Sequence, residues 1–249
     1  MNSNAEFKAK MIECHRSAFN LWLRVHEVLE ELVIKPRTLQ SAYSRALDLF
    51  FIEAFKSHGS LYSLCVMGHG EDSATIARRL LEIAFQVGYL CLEDQDREKR
   101  GELYLAYFWH NAKEIIKLNI PEDRRQWWEK HHDLHKHLLP LRPSGDPLQN
   151  WSGLSFAAMA ERIGLKDTYE TDYRFLSNVA HCSARGLLLD KVDGTIQITS
   201  DALVDELLIY GTKYVLAVTL YWNEHFGLGD SAKLSELQAE AVGFDFKAV

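Results

Sequence analysis

The chain has 249 residues, with 28 lysines and arginines against 35 aspartates and glutamates, a formal net charge of −7 and 47% hydrophobic content. That apolar content can fill the core of one large domain, and the negative balance excludes a protein that coats nucleic acid through its whole surface. Charge interrupts the apolar runs, as in Ala77-Arg78-Arg79-Leu80-Leu81-Glu82, so none approaches the roughly 20 residues of a membrane span.

The N-terminus, with Glu6, Lys8, Lys10 and Glu13, lacks the apolar centre of a signal peptide. A soluble cytoplasmic protein without membrane contact is therefore expected. The four cysteines, Cys14, Cys65, Cys91 and Cys182, are far apart and form no CxxC pair, which argues against a zinc knuckle or a disulfide scaffold. They are expected to be reduced and mostly in the core. Lysines and arginines outnumber acids from Arg97 to Arg142, so a local anion site stays open.

In chain order, residues 5 to 33 carry apolar side chains at helical spacing (Phe19, Trp22, Leu23, Leu29, Leu32, Val33) and predict one long amphipathic helix ending before Pro36. Thr38 to about Met67 predicts a second, rich in aromatics and broken at Gly68-His69-Gly70. Asp72 reads as the N-cap of a third, running to about Leu92, and Arg97 to Asn119 as a fourth. Pro121 opens a fifth, which runs through Trp127 and Trp128 to Leu139.

Pro140 to Gly153 is rich in proline and reads as a surface loop. Ser155 to Ile163 is a short helix stopped by Gly164, and Asp167 to about Arg185 a longer one. Asp193-Gly194, flanked by Leu-Asp-Lys-Val and Thr-Ile-Gln-Ile-Thr, signals a β-hairpin around 187–200. The last long helix spans about Asp201 to His225, and the tail from 227 to 249 reads as weakly structured. The expected fold is mainly all-α: a single multi-helix bundle over residues 1–249 with one β-hairpin before the final long helix.

The chemistry centres on Tyr173-Arg174-Phe175-Leu176-Ser177-Asn178-Val179-Ala180-His181. Seven residues make two helical turns, so Arg174 and His181 fall on nearly one face, roughly 10 Å apart. Asn178 stands one turn from each. A histidine to exchange protons and an arginine to hold phosphate can cleave RNA without a metal. Helical side chains lean toward the N-terminus, so Arg174 leans away from His181; a composite site would pair the arginine of one copy with the histidine of a second. In the competing structural role, Arg174 meets a carboxylate such as Glu82 and His181 sits at a helix C-terminus.

Trp151-Ser152-Gly153, Met159-Ala160-Glu161-Arg162-Ile163-Gly164-Leu165, Tyr169, Tyr173-Arg174-x-Leu176-Ser177 and His181 resemble a bacterial family known as a domain of unknown function, as do Asp72-Ser73-Ala74 and Ala77 to Glu82. The resemblance covers roughly residues 40 to 220 and implies a helical protein. The arginine-to-histidine motif is also similar to that of the HEPN superfamily, helical bundles that include toxin and phage-defence ribonucleases. That likeness assigns Arg174 and His181 as the catalytic pair, and active members place a polar residue where this chain has Phe175.

Other clusters have plainer readings. Glu129 to His137 has metal-ligand spacing in His131 with His135 and Asp133 with His137, but no second Glu-x-x-His and no His-Glu-x-x-His accompanies it. A partly solvated polar helix is the simpler account. Arg78, Arg79 and Glu82 read as a core network with Tyr173 or Arg174 rather than a phosphate site. Trp109, Trp127 and Trp128 could stack bases, though core or interface packing is the commoner role.

Catalytic candidates are therefore Arg174, Asn178 and His181, supported by Arg78, Glu82, Tyr173 and Ser177. No motif calls for a cofactor or metal. Expected partners are RNA at a local site, a second copy of the chain, and a protein partner. The functional expectation is an HEPN-like, metal-independent endoribonuclease of a stress, toxin–antitoxin or phage-defence system; the alternative is a noncatalytic helical interaction or ligand-binding module in which Arg174 and His181 are structural.

Overall fold

The computed structural model describes residues 3–116, 118, 120–135, 150–181, 191–192, 195–196 and 203–244. Those residues form a multi-helix all-α fold. Where one N-terminal helix was predicted there are two, α1 (Ser3–Cys14) and α2 (Arg16–Val33), separated at His15. The apolar face continues across the break with Met11, Ala18, Phe19, Trp22 and Val25 all buried, which is why periodicity alone does not reveal it.

Helix α3 (Ala42–Val66) begins at a reciprocal cap, Ser41 Oγ accepting from the Ser44 amide and Ser44 Oγ from the Ser41 amide, both at 3.0 Å. Its first amides also donate to the Glu98 carboxylate, Ala42 N at 2.6 Å and Tyr43 N at 3.1 Å. After the turn at Gly68 come α4 (Gly70–Cys91), a short 3₁₀ turn (Asp94–Asp96), α5 (Arg97–Ile116) and α6 (Glu122–His135). The end of the fifth predicted helix and most of the 140–153 loop lie outside the described residues.

Helix α7 (Phe156–Arg162) is capped by Ser155, whose Oγ accepts from the Ala158 amide at 3.2 Å, and Gly164 ends that segment at φ +75°. The predicted motif helix starts as α8 (Lys166–Thr168), passes through a π-helical turn (Tyr169–Tyr173) and finishes as α9 (Arg174–Ala180). Of the hairpin predicted around 187–200, β1 (Lys191–Val192) and β2 (Thr195–Ile196) are described and pair antiparallel, Lys191 with Ile196 and Val192 with Thr195; the other residues of that stretch lie outside the description.

Helix α10 (Val204–Phe226) ends at Gly227, φ +62°. The tail, expected to be weakly structured, instead carries α11 (Ser231–Val242), because Leu234, Leu237 and Ala241 recur at helical spacing and bury against α10.

Helices α3, α4 and α10 pack on one another at the centre. Helix α2 covers α10 and α3, α5 lies on α3 with α6 outside it, and α7 and α9 lie on α4. One contiguous cluster joins them, including Phe19, Phe51, Phe85 and Trp222. Within it Trp222 stacks on Phe51 at 3.9 Å between ring centroids and donates from Nε1 to Asp48 at 3.0 Å. Asp48 also pairs with Arg37, so its buried carboxylate is compensated. Among the described residues no helix is long and apolar enough to cross a membrane. Cys65 and Cys91 are free and buried, and burial pushes the Cys65 thiol up to about 12; Cys14 is exposed and Cys182 lies outside the described residues.

Candidate functional site: a ladder on helix α4

Arg78, Glu82 and Gln86 are spaced four apart and so line one face of α4. Each meets a residue from the segment 150–181. Trp151 Nε1 donates to Gln86 Oε1 at 2.8 Å, the Tyr173 hydroxyl to Glu82 Oε1 at 3.3 Å, and Arg78 Nη1 lies 2.9 Å from His181 Nε2. The partners follow the chain in the opposite sense to α4, so the whole segment runs back along that helix.

Local structure sets each rung. At the first, Asn150 Oδ1 accepts from Ser152 Oγ and the Gly153 amide, both at 2.8 Å, and Gly153 takes φ +71°. This tight turn seats the Trp151 ring at 2% exposure. At the second, the π-helical turn adds a residue to the helical repeat and so turns neighbouring side chains in different directions. Tyr173 goes to Glu82, while Asp172 accepts from Lys213 Nζ at 3.1 Å and from the Tyr214 hydroxyl. Burial, reinforced by the Glu82 charge, raises the Tyr173 phenol above its usual range; burial and then Asp172 raise that of Tyr214 far more.

The ladder becomes more open along its length. Trp151 and Gln86 are buried, the Glu82 and Arg78 side chains are 13% and 21% exposed, and His181 is exposed. Arg78 Nε is also 3.5 Å from Glu82 Oε1. Arg79 bonds Glu53 Oε1 through Nε at 3.0 Å and lies 3.7 Å from Glu82 Oε2. A guanidinium has only donors, so at this contact Arg78 donates to His181 Nε2.

Arg174 and His181, paired by spacing, have different partners. Arg174 Nε binds Glu170 Oε2 at 2.6 Å, one turn toward the N-terminus, with its side chain 63% exposed; this is the expected lean. His181 follows the last residue of α9, and its amide bonds the Ser177 carbonyl at 3.1 Å. Glu82, offered as a carboxylate for Arg174, is occupied by Arg78, Arg79 and Tyr173. Asn178 is exposed and Ser177 half-buried on α9. Phe175 packs against Tyr210, ring centroids 6.1 Å apart.

In the histidine-rich helix, His131 lies against Trp127 at 4.5 Å and His132 Nδ1 is 3.6 Å from Asp133; His137 lies outside the described residues. No group of three or more histidine, cysteine or acidic residues is arranged to hold a metal among the described residues. Sequence reading missed Gln86, Asp172, Lys213 and Tyr214. Their partners lie 41 to 65 positions away, and only the place of Gln86 one turn beyond Glu82 hinted at any of them.

A family of unknown function, DUF5677, matches residues 45–195. The chain belongs to this family. The DUF5677 match takes in α4, Trp151, Tyr173 and His181, and with them every rung of the ladder. No curated protein and no solved structure matches the chain.

Proposed function

We propose that this chain is an HEPN-like, metal-independent endoribonuclease of a bacterial stress, toxin–antitoxin or phage-defence system, acting as a homodimer. The observation that carries the reading is the Arg78–His181 contact, 2.9 Å at the open end of the ladder. It brings a phosphate-binding cation and a proton-exchanging ring together on an accessible face. Arg78 takes the phosphate-binding role that spacing had given to Arg174.

A phosphodiester at this site draws the Arg78 N–H groups onto its nonbridging oxygens, which frees Nε2. His181 then removes the 2′-hydroxyl proton. The 2′-oxygen attacks the adjacent phosphorus, the P–O5′ bond breaks, and the leaving 5′-oxygen takes a proton from water while the protonated His181 returns its own to solvent, giving a 2′,3′-cyclic phosphate and a 5′-hydroxyl. Asn178, exposed on the same helix, assists by hydrogen bonding, and the exposed Arg174 serves the site of the second copy.

Purified wild type, His181→Ala and Arg78→Ala are incubated with total RNA and a chelator. Cleavage by wild type that drops at least a hundredfold in either variant supports the role; cleavage absent from wild type, or equal in all three, rejects it. The competing reading, a noncatalytic interaction or ligand-binding module, draws on Arg174 bound to Glu170 and on Phe175 packed against Tyr210, at a position where active HEPN members usually place a polar residue.

A further inference from the structure

On α4 the Arg78–Glu82 pair runs in the order that contributes less to helix stability, the cation one turn N-terminal to the acid. Helical side chains lean toward the N-terminus. Glu82 therefore leans onto the stem side of the guanidinium, and Arg78 leans onward to His181. The contacts follow that order: Glu82 Oε1 lies 3.5 Å from Arg78 Nε, and Arg78 Nη1 lies 2.9 Å from His181 Nε2. One guanidinium thus has its inner nitrogen on a carboxylate and an outer nitrogen on the imidazole.

The carboxylate is itself fixed in place. Its side chain is 13% exposed, its Oε1 accepts from the Tyr173 hydroxyl at 3.3 Å, and its Oε2 lies 3.7 Å from Arg79 Nη1. Arg79 is bonded more closely to Glu53, through Nε at 3.0 Å, so the charge of Glu82 falls mainly to Arg78. Support from α3, α4 and the π-helical turn makes Glu82 a rigid point beside a long, rotatable side chain.

We infer that Glu82 is the positioning residue of the candidate nuclease site, a role that rests on the ribonuclease reading above. It keeps Arg78 Nε in place while the outer nitrogens turn from His181 to the nonbridging oxygens of a phosphodiester, so the cation meets phosphate in one geometry. Glu82 acts through Arg78 alone. Its negative charge opposes the attraction of RNA, so its removal slows turnover without weakening binding. Removing an anchoring cation does the reverse.

The test measures kcat and KM on a short single-stranded RNA, with chelator present, for the full chain as wild type, Glu82→Gln, Arg78→Ala and the double variant. Glutamine keeps the size of the side chain and an acceptor for Tyr173. Glu82→Gln lowers kcat about tenfold with KM unchanged or lower. In the Arg78→Ala background the same change has less than about a twofold effect, because the group it acts through is gone, whereas damage to the fold would carry over in full. Glu82→Gln cleaving as fast as wild type, a raised KM, or a kcat loss that persists without Arg78 overturns the inference and leaves the ribonuclease reading standing. Cleavage absent from wild type overturns both.

Discussion

His58 makes stability depend on pH in a direction the structure fixes. Its ring is fully buried, stacked on Trp22 at 4.7 Å and bonded through Nε2 to Thr212 Oγ1 at 3.3 Å. No carboxylate pairs with it among the described residues. Burial, and then the neighbouring His26, hold its pKa well below the usual 6.5. The unfolded chain therefore binds a proton near pH 6.5 that the folded ring refuses. Stability is full above that pH and is lost as pH falls toward the folded pKa. With a ring that stays neutral to pH 5.5, the loss between pH 7.5 and 5.5 is about 1.4 kcal/mol, or roughly 3–5 °C in Tm for a chain of this size.

The perturbation is His58→Gln, which keeps a polar group facing Thr212 but does not titrate. Urea denaturation of both proteins at the two pH values isolates the term, because His26, His225 and the carboxylates are common to both and largely cancel. The variant is less stable than wild type at pH 7.5, and the gap narrows by about 1.4 kcal/mol at pH 5.5. A gap that does not change with pH would refute the assignment.

Three further outcomes follow from the packing. Trp151→Phe keeps an aromatic ring beside Tyr89 and Tyr104 but leaves Gln86 Oε1 without its donor, costing about 1–3 kcal/mol in urea denaturation; a loss within error would remove this rung from the account. Gly101→Ala places a Cβ 2.5 Å from the Tyr43 amide nitrogen and 2.6 Å from the Ala42 carbonyl carbon, backbone that cannot yield without moving α5 off α3. It destabilises by about 1–3 kcal/mol, whereas Ala in an open helix would stabilise, so the sign alone decides. Burial raises the Glu98 pKa, but the Ala42 and Tyr43 amides outweigh it and hold the carboxyl below its usual 4.5. Its contribution is thus present at neutral pH and fades as pH falls through that lowered value. Glu98→Gln is accordingly less stable by about 0.5–1 kcal/mol at pH 7, a deficit that narrows in urea denaturation as pH falls through the lowered value.

The helices were legible because their signals are local. Ser155 as a cap, Gly164 as a stop and the apolar face of α10 each depend on residues within a few positions. The break at His15 and the helix at Ser231–Val242 were not, the first because the buried face continues across it and the second because α11 is short and buries only Leu234, Leu237 and Ala241. At the site, spacing on one helix suggested Arg174 with His181. The side chain that meets His181 within the chain is Arg78, 103 positions away on another helix. A helical period ranks which side chains share a face and carries no information on what lies opposite that face.

The ladder gives the resemblance motif a physical content that a catalytic reading alone does not. Trp151, Tyr173 and His181 stand far apart in sequence, yet each meets one step of α4. Two of these contacts are buried or half-buried and hold the segment in register, a sufficient reason for those residue types whatever the chemistry. The third is different. A guanidinium set against an exposed imidazole adds little stability in water. Packing thus accounts for Trp151 and Tyr173 and leaves His181 on the open rung without a structural role.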